Sequence, residues 1–196
     1  MSTSPGVTPL PADAETLFAR LRDALKKDLD AADSGPAAGA ATGSAGAPGE
    51  GAGVPTLIGI HSGGAWLAGR LHAELGLSSP LGFLSSAFHR DDLEARGLPS
   101  RLQATQIDFD VTGRDIVLVD DILHTGRTIR AALNEIFDYG RPARVRLAVL
   151  LDRGGRELPV QADYLGAELA LQPGEKLVLS QRTSGQFELR VERSVH

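Results

Sequence analysis

Cysteine is absent from the 196 residues, which excludes disulfides and Cys-ligated zinc. Long hydrophobic runs are absent as well. No stretch reaches the 18 consecutive apolar residues that a membrane helix needs, so no membrane partner is expected. Positive charge is not in excess: 20 Lys and Arg stand against 25 Asp and Glu, a net charge of −5. That balance argues against a strongly basic nucleic-acid binder but leaves room for a local basic face. The opening residues, MSTSPGVTPLPADAE, lack both a basic and an apolar signal region, so a cytoplasmic home is expected. Against these absences, an apolar content of 42% supports a real core, and the length suits one ordinary domain.

The chain is organised around Ile116 to Thr128, which reads IVLVDDILHTGRT. Ile116, Val117, Leu118 and Val119 form an apolar, β-branched run, the pattern of a strand buried on both faces of a parallel sheet. Two carboxylates, Asp120 and Asp121, are expected at its end. A short loop over 122–126 then leads into a helix from about Arg127 to Tyr139. In open α/β sheets ligands sit beyond the carboxyl ends of strands, where a helix start offers free N–H groups and a positive dipole end. The loop Leu123, His124, Thr125, Gly126, Arg127 and Thr128 therefore suits a phosphate. Asp120 and Asp121 suit ribose hydroxyls, directly or through Mg²⁺. Together they describe a site for a ribose 5-phosphate.

Residues 1–12 are expected to fray. Asp13 to Leu29 carries Leu17, Phe18, Leu21 and Leu25 on one stripe, which predicts a helix with Asp13 as its N-cap. Residues 31–53 change character: 16 of these 23 positions are Ala or Gly, the composition of a flexible spacer. A strand over 54–60 follows, then His61-Ser62-Gly63-Gly64 as a glycine-rich, anion-holding turn and a helix from Ala65 to about Leu75. Leu81 to Phe88 and Ala104 to Phe109 are expected to pair as an antiparallel hairpin. The polar stretch between them, which begins His89-Arg90, would be a mobile cationic lid. Strands are further expected at 144–151 and 162–165, with a last hairpin at 176–181 and 186–191.

The segment from Asp121 to Gly166, DILHTGRTIRAALNEIFDYGRPARVRLAVLLDRGGRELPVQADYLG, is similar to the pyrimidine-operon attenuation regulators, which are also uracil phosphoribosyltransferases. The likeness extends back through FHRDDL and IGIHSGGAWLA. It implies a type I phosphoribosyltransferase fold: a mainly parallel twisted sheet flanked by helices, with an antiparallel flexible-loop hairpin. It implies the reaction of uracil with phosphoribosyl diphosphate (PRPP) to give UMP and pyrophosphate, with Mg²⁺ held indirectly by Asp120 and Asp121. Asp120, Asp121 and Arg90 would then be catalytic, His61, Ser62, Gly63 and Gly64 would hold pyrophosphate, and Asp152, Arg153 and Arg156 would meet the base. Many members carry a basic residue followed by Thr-Arg-Gly where this chain has His61-Ser62-Gly63-Gly64, which leaves one cation fewer for pyrophosphate. The Ala/Gly spacer is also not a family feature. The resemblance further implies UMP-responsive binding to the leader RNA of a pyrimidine operon, and a homodimer or higher homo-oligomer. Candidate RNA contacts are Arg141, Arg144 and Arg146, with Arg20, Arg22, Lys26 and Lys27 on the first helix. Two other readings stand beside this one: an RNA-binding nucleotide sensor with little catalysis, and a transferase for a purine or orotate.

Overall fold

At the centre of the structure, a computed structural model that describes residues 7–34, 54–85 and 104–193, lies the strand that the IVLV run announces. This strand, β3 (Asp115–Leu123), is flanked by β1 (Thr56–Ile60) and β4 (Arg144–Asp152), with β2 (Leu81–Leu84) and β5 (Tyr164–Glu168) at the edges. The order is β2-β1-β3-β4-β5 and every pairing is parallel. Parallel neighbours need crossovers; helices carry those from β1 to β2 and from β3 to β4, and another helix precedes β1. They are α1 (Ala14–Ser34), α2 (Gly63–Glu74) and α3 (Arg127–Asp138).

Alternation along the strands sorts side chains between two cores. Leu57, Val117, Val119, Ala148 and Leu150 face the first core, with Leu17, Phe18, Leu21 and Leu25 of α1 and Leu67, Ala68 and Leu71 of α2. An antiparallel ribbon, β6 (Glu175–Gln181) and β7 (Phe187–Arg193), closes this side with Leu177, Leu179, Phe187 and Leu189. Ile58, Ile60, Ile116, Leu118 and Val149 face the second core, against Ile129, Ala132 and Ile136 of α3. Asp13 caps α1 as its type requires, accepting from the Thr16 amide and hydroxyl, both at 2.8 Å.

Several boundaries differ from expectation, each for a physical reason. Residues 7–12 are not frayed: the Thr8 amide and hydroxyl donate to Glu175 at 3.0 and 2.6 Å, and Leu10 and Ala12 pack on the first core. Ala31 to Ser34 continue α1 and do not open the spacer, whose remainder lies outside the described residues. Helix α2 begins at Gly63, so the two glycines form its first turn and the preceding loop shrinks to His61 and Ser62. Strand β2 ends at Leu84, and the expected returning strand is reduced to one antiparallel bridge, Phe83 with Gln106. Strand β5 starts at Tyr164, two residues later than expected. Residues 86–103, with Arg90 and the proposed lid, lie outside the described residues.

Candidate active site

Both loops singled out in the sequence emerge at the carboxyl edge of adjacent strands, β1 and β3. Each leads straight into a helix, α2 and α3 respectively. Neither N-cap residue, Ser62 or Gly126, makes a side-chain cap hydrogen bond, and neither first turn carries an acid. Helix α1, on the first core, shows the contrast, with Asp13 as cap and Glu15 in the first turn. Two helices whose own first turns carry no acid therefore start at the carboxyl edge of adjacent strands, on opposite faces of the sheet. Each offers backbone donors and roughly half a positive charge to an anion.

The two carboxylates are not beyond the strand end, as expected, but within it. Strand β3 stays paired with β4 through Ile122–Leu151 and Leu123–Asp152, because Ile122 and Leu123 resume the apolar pattern. Consecutive strand residues leave the backbone on opposite faces. Asp121 takes the face of Val117 and Val119 and reaches α2: a Cβ on Gly63 would stand 2.2 Å from its Oδ2. A Cβ on Gly64 would stand 2.3 Å from the Val119 carbonyl. Only glycine at both positions lets the head of α2 press onto β3. Asp120 is 5% exposed, and its Oδ1 accepts the Asp121 amide at 2.9 Å.

On the α3 side, Thr125 is buried and its hydroxyl accepts the Arg127 amide at 3.2 Å, shaping the turn into the helix. Arg127 itself forks onto Glu157 at 2.8 and 2.5 Å. Thr128 is half-buried in the first turn of α3. The loop after β4 packs on this turn. Asp152 and Arg156 form an ion pair, and Arg156 also donates to the carbonyls of His124 and of Val160, the latter at 3.0 Å. Arg153 is half-buried between them in sequence. Asp120, Asp121, residues 123–128, His61 to Gly64 and Asp152 to Arg156 thus share one edge of the sheet.

The proposed RNA contacts fall at the opposite, amino edge, and one is not a surface cation. The guanidinium of Arg146 is buried, bonded to Asp28 and the Tyr164 hydroxyl and paired with Asp115 at 2.8 Å. The sequence could not show that acids on α1 and β3 converge on it. Arg144 pairs with Asp115 at 2.5 Å and is 60% exposed. Arg141 is exposed and donates to the Phe137 and Gly140 carbonyls at 2.6 and 3.0 Å. Arg22 is held by Asp23 and Glu74, whereas Arg20, Lys26 and Lys27 are exposed.

For Mg²⁺, the described residues hold no group of three or more His, Asp or Glu that could bind a metal. Two hard carboxylates at the sheet edge nonetheless suit an ion that takes one or two protein oxygens and completes its shell from substrate and water. The residues fit the ion on that basis.

A parallel sheet carries two helix heads and an acid pair at its carboxyl edge, and the chain belongs to the phosphoribosyl transferase domain family, whose model matches residues 46–169. Among individual relatives, it is 52% identical over 138 residues to the Bifunctional protein PyrR of Nitrosococcus oceani, covering 69% of this chain and 78% of that one. To the protein of the same name from Ralstonia nicotianae it is 54% identical over 134 residues, covering 68% and 76%. The fold matches the hypoxanthine phosphoribosyltransferase of Trypanosoma cruzi with a TM-score of 0.54 at 19% identity, over 82% of this chain and 81% of that one. It also matches a hypoxanthine-guanine phosphoribosyltransferase of Bacillus anthracis with a TM-score of 0.55 at 17% identity, over 85% and 84%. At those identities the likeness shows the fold alone. No helix among the described residues is long and apolar enough to cross a membrane.

Proposed function

We propose that this phosphoribosyltransferase joins uracil to PRPP, giving UMP and pyrophosphate, and that it also acts as a UMP-responsive RNA-binding regulator of pyrimidine synthesis. The observation that carries the transferase reading is the pair of adjacent helix heads without acids flanking Asp120 and Asp121. The head of α3 receives the 5′-phosphate and the head of α2, with His61 to Gly64, receives the leaving diphosphate. The ribose spans the gap between them. As the bond from C1′ to diphosphate lengthens, positive charge develops on the sugar, and Asp120 and Asp121 orient the hydroxyls and oppose that charge. Asp120 and Asp121 would hold Mg²⁺ together with substrate oxygens, and the ion supplies charge neutralisation on the diphosphate when bound. The loop after β4, through Arg153 and its peptide groups, is proposed to meet the base edge. Relatives named Bifunctional protein PyrR, at 48–54% identity, support uracil over a purine.

For RNA, the exposed cations Arg141, Arg144, Arg20, Lys26 and Lys27 are the candidate contacts, whereas Arg146 is buried. Asp28 brings the later turns of α1 against the start of β4, so these cations share the amino edge, away from the chemistry. An assay of PRPP consumption with uracil, hypoxanthine and orotate tests the enzyme: turnover with uracil alone supports it, and preference for another base sinks it. A mobility shift of pyrimidine leader RNA with and without UMP tests the regulator. Binding there should fall steeply with salt and with Arg141→Glu while uracil turnover stays unchanged.

A further inference from the structure

We propose that Arg156 is a positioning residue for the 5′-phosphate loop, fixing which way that loop's amides face, and that it makes no contact with the base. The inference rests on the reading of the α3 head as the phosphate site.

Three consecutive carbonyls of the loop, those of Leu123, His124 and Thr125, all accept hydrogen bonds from the segment after β4. Leu123 accepts from the Arg153 amide at 3.0 Å, and Thr125 from the amides of Glu157 and Leu158 at 3.0 and 3.1 Å. The middle carbonyl, on His124, is met by a side chain, the guanidinium of Arg156. The backbone cannot do this work there. Gly154 and Gly155 both lie at φ +71°, which turns the chain out of the ladder, and the Gly154 amide donates to Asp152 Oδ1 at 2.8 Å. Arg156 therefore bridges a gap in the hydrogen-bond series. Its remaining donors are directed too: Nε to the Val160 carbonyl at 3.0 Å and an Nη to Asp152. All three guanidinium nitrogens thus have protein acceptors, and the side chain is 25% exposed.

The consequence follows from peptide geometry. The only cis peptide among the described residues is His61–Ser62, so the peptides that start at Leu123, His124 and Thr125 are trans. In a trans peptide the C=O of one residue and the N–H of the next point in opposite directions. Holding the three carbonyls toward the β4 loop turns the amides of His124, Thr125 and Gly126 away from it as a set. A run of amides facing one way is what an anion needs. Without Arg156 the His124 carbonyl loses this anchor, and the Thr125 amide is no longer held in line with the set by it.

The test is calorimetric binding of ribose 5-phosphate, which carries no base, alongside steady-state kinetics with PRPP and uracil. Arg156→Gln should weaken ribose 5-phosphate binding by tenfold or more and raise KM for PRPP, with KM for uracil unchanged. Arg156→Lys, which cannot reach all three acceptors, should fall in between. If Arg156→Gln does not fold, Arg156→Lys carries the test, with a smaller change of the same kind in ribose 5-phosphate affinity and in KM for PRPP. A rise confined to KM for uracil, or ribose 5-phosphate affinity equal to wild type in the variants, overturns the proposal alone. A wild-type protein that does not bind ribose 5-phosphate overturns the phosphate reading of α3 and this proposal with it.

Discussion

Arg146 and Arg144 lie two residues apart at the start of β4, share Asp115 as a partner, and differ in everything else. Arg146 is enclosed by Asp28, Asp115 and Tyr164, whereas Arg144 is 60% exposed. Burial beside the Asp28 carboxylate pushes the Tyr164 hydroxyl well above its ordinary range, so it stays a donor to Asp28 at 2.7 Å. Removing a buried partner leaves uncompensated charge, while an exposed pair contributes little. Arg146→Ala should therefore cost about 3 kcal/mol in urea unfolding, and Arg144→Ala less than about 1 kcal/mol. At the site, Asp120→Asn and Asp121→Asn should each reduce turnover with uracil and PRPP by about a hundredfold or more. Wild-type rates in both would remove the ribose assignment. Gly64→Ala adds a Cβ against the Val119 backbone and should destabilise the fold as well as the reaction, read by thermal melting.

Helix α1 is fixed at both ends by ions as well as by its apolar stripe. Glu15 accepts from Arg70 at 2.8 Å and from the Phe187 amide at 2.7 Å, and Arg70 lies over the rings of Phe18 and Phe187 at 4.4 and 5.1 Å. Hydrogen bonding by Arg70 holds the Glu15 and Glu74 carboxyls below their usual range; the Tyr164 hydroxyl and then Arg146 do the same for Asp28. A depressed carboxylate pKa gives stability that is present above the unfolded value, near 4, and is lost as pH falls through the lower folded value. Acid unfolding should thus begin below about pH 4, and Glu15→Gln should flatten the dependence there. The helix itself was legible in the sequence because 3.6-residue periodicity is local, and so was β3 from its IVLV run. The continuation of β3 through Asp120 and Asp121 was not, since two acids mimic a strand end until pairing with β4 is seen. Equally hidden were the burial of Arg146 and the bridging role of Arg156, both of which depend on partners far along the chain.

Across the whole molecule, α1 is attached by burial more than by covalent proximity. Leu17, Phe18, Leu21 and Leu25 are all at most 1% exposed and share one core with Leu67, Leu71, Val117 and Leu150. Cleavage within 35–53 should leave α1 bound to the rest through size-exclusion chromatography, with activity retained; dissociation would show that the connection matters. The two helix heads carry a further consequence, in the rate of encounter. Each contributes roughly half a positive charge at one edge of a molecule whose net charge is −5. A polyanion approaching from afar meets repulsion from that net charge, and at the edge Asp120 and Asp121 offset the two heads. Added salt screens that repulsion, so the association rate of PRPP, followed by stopped flow, should rise on going from about 0.01 to 0.1 M salt.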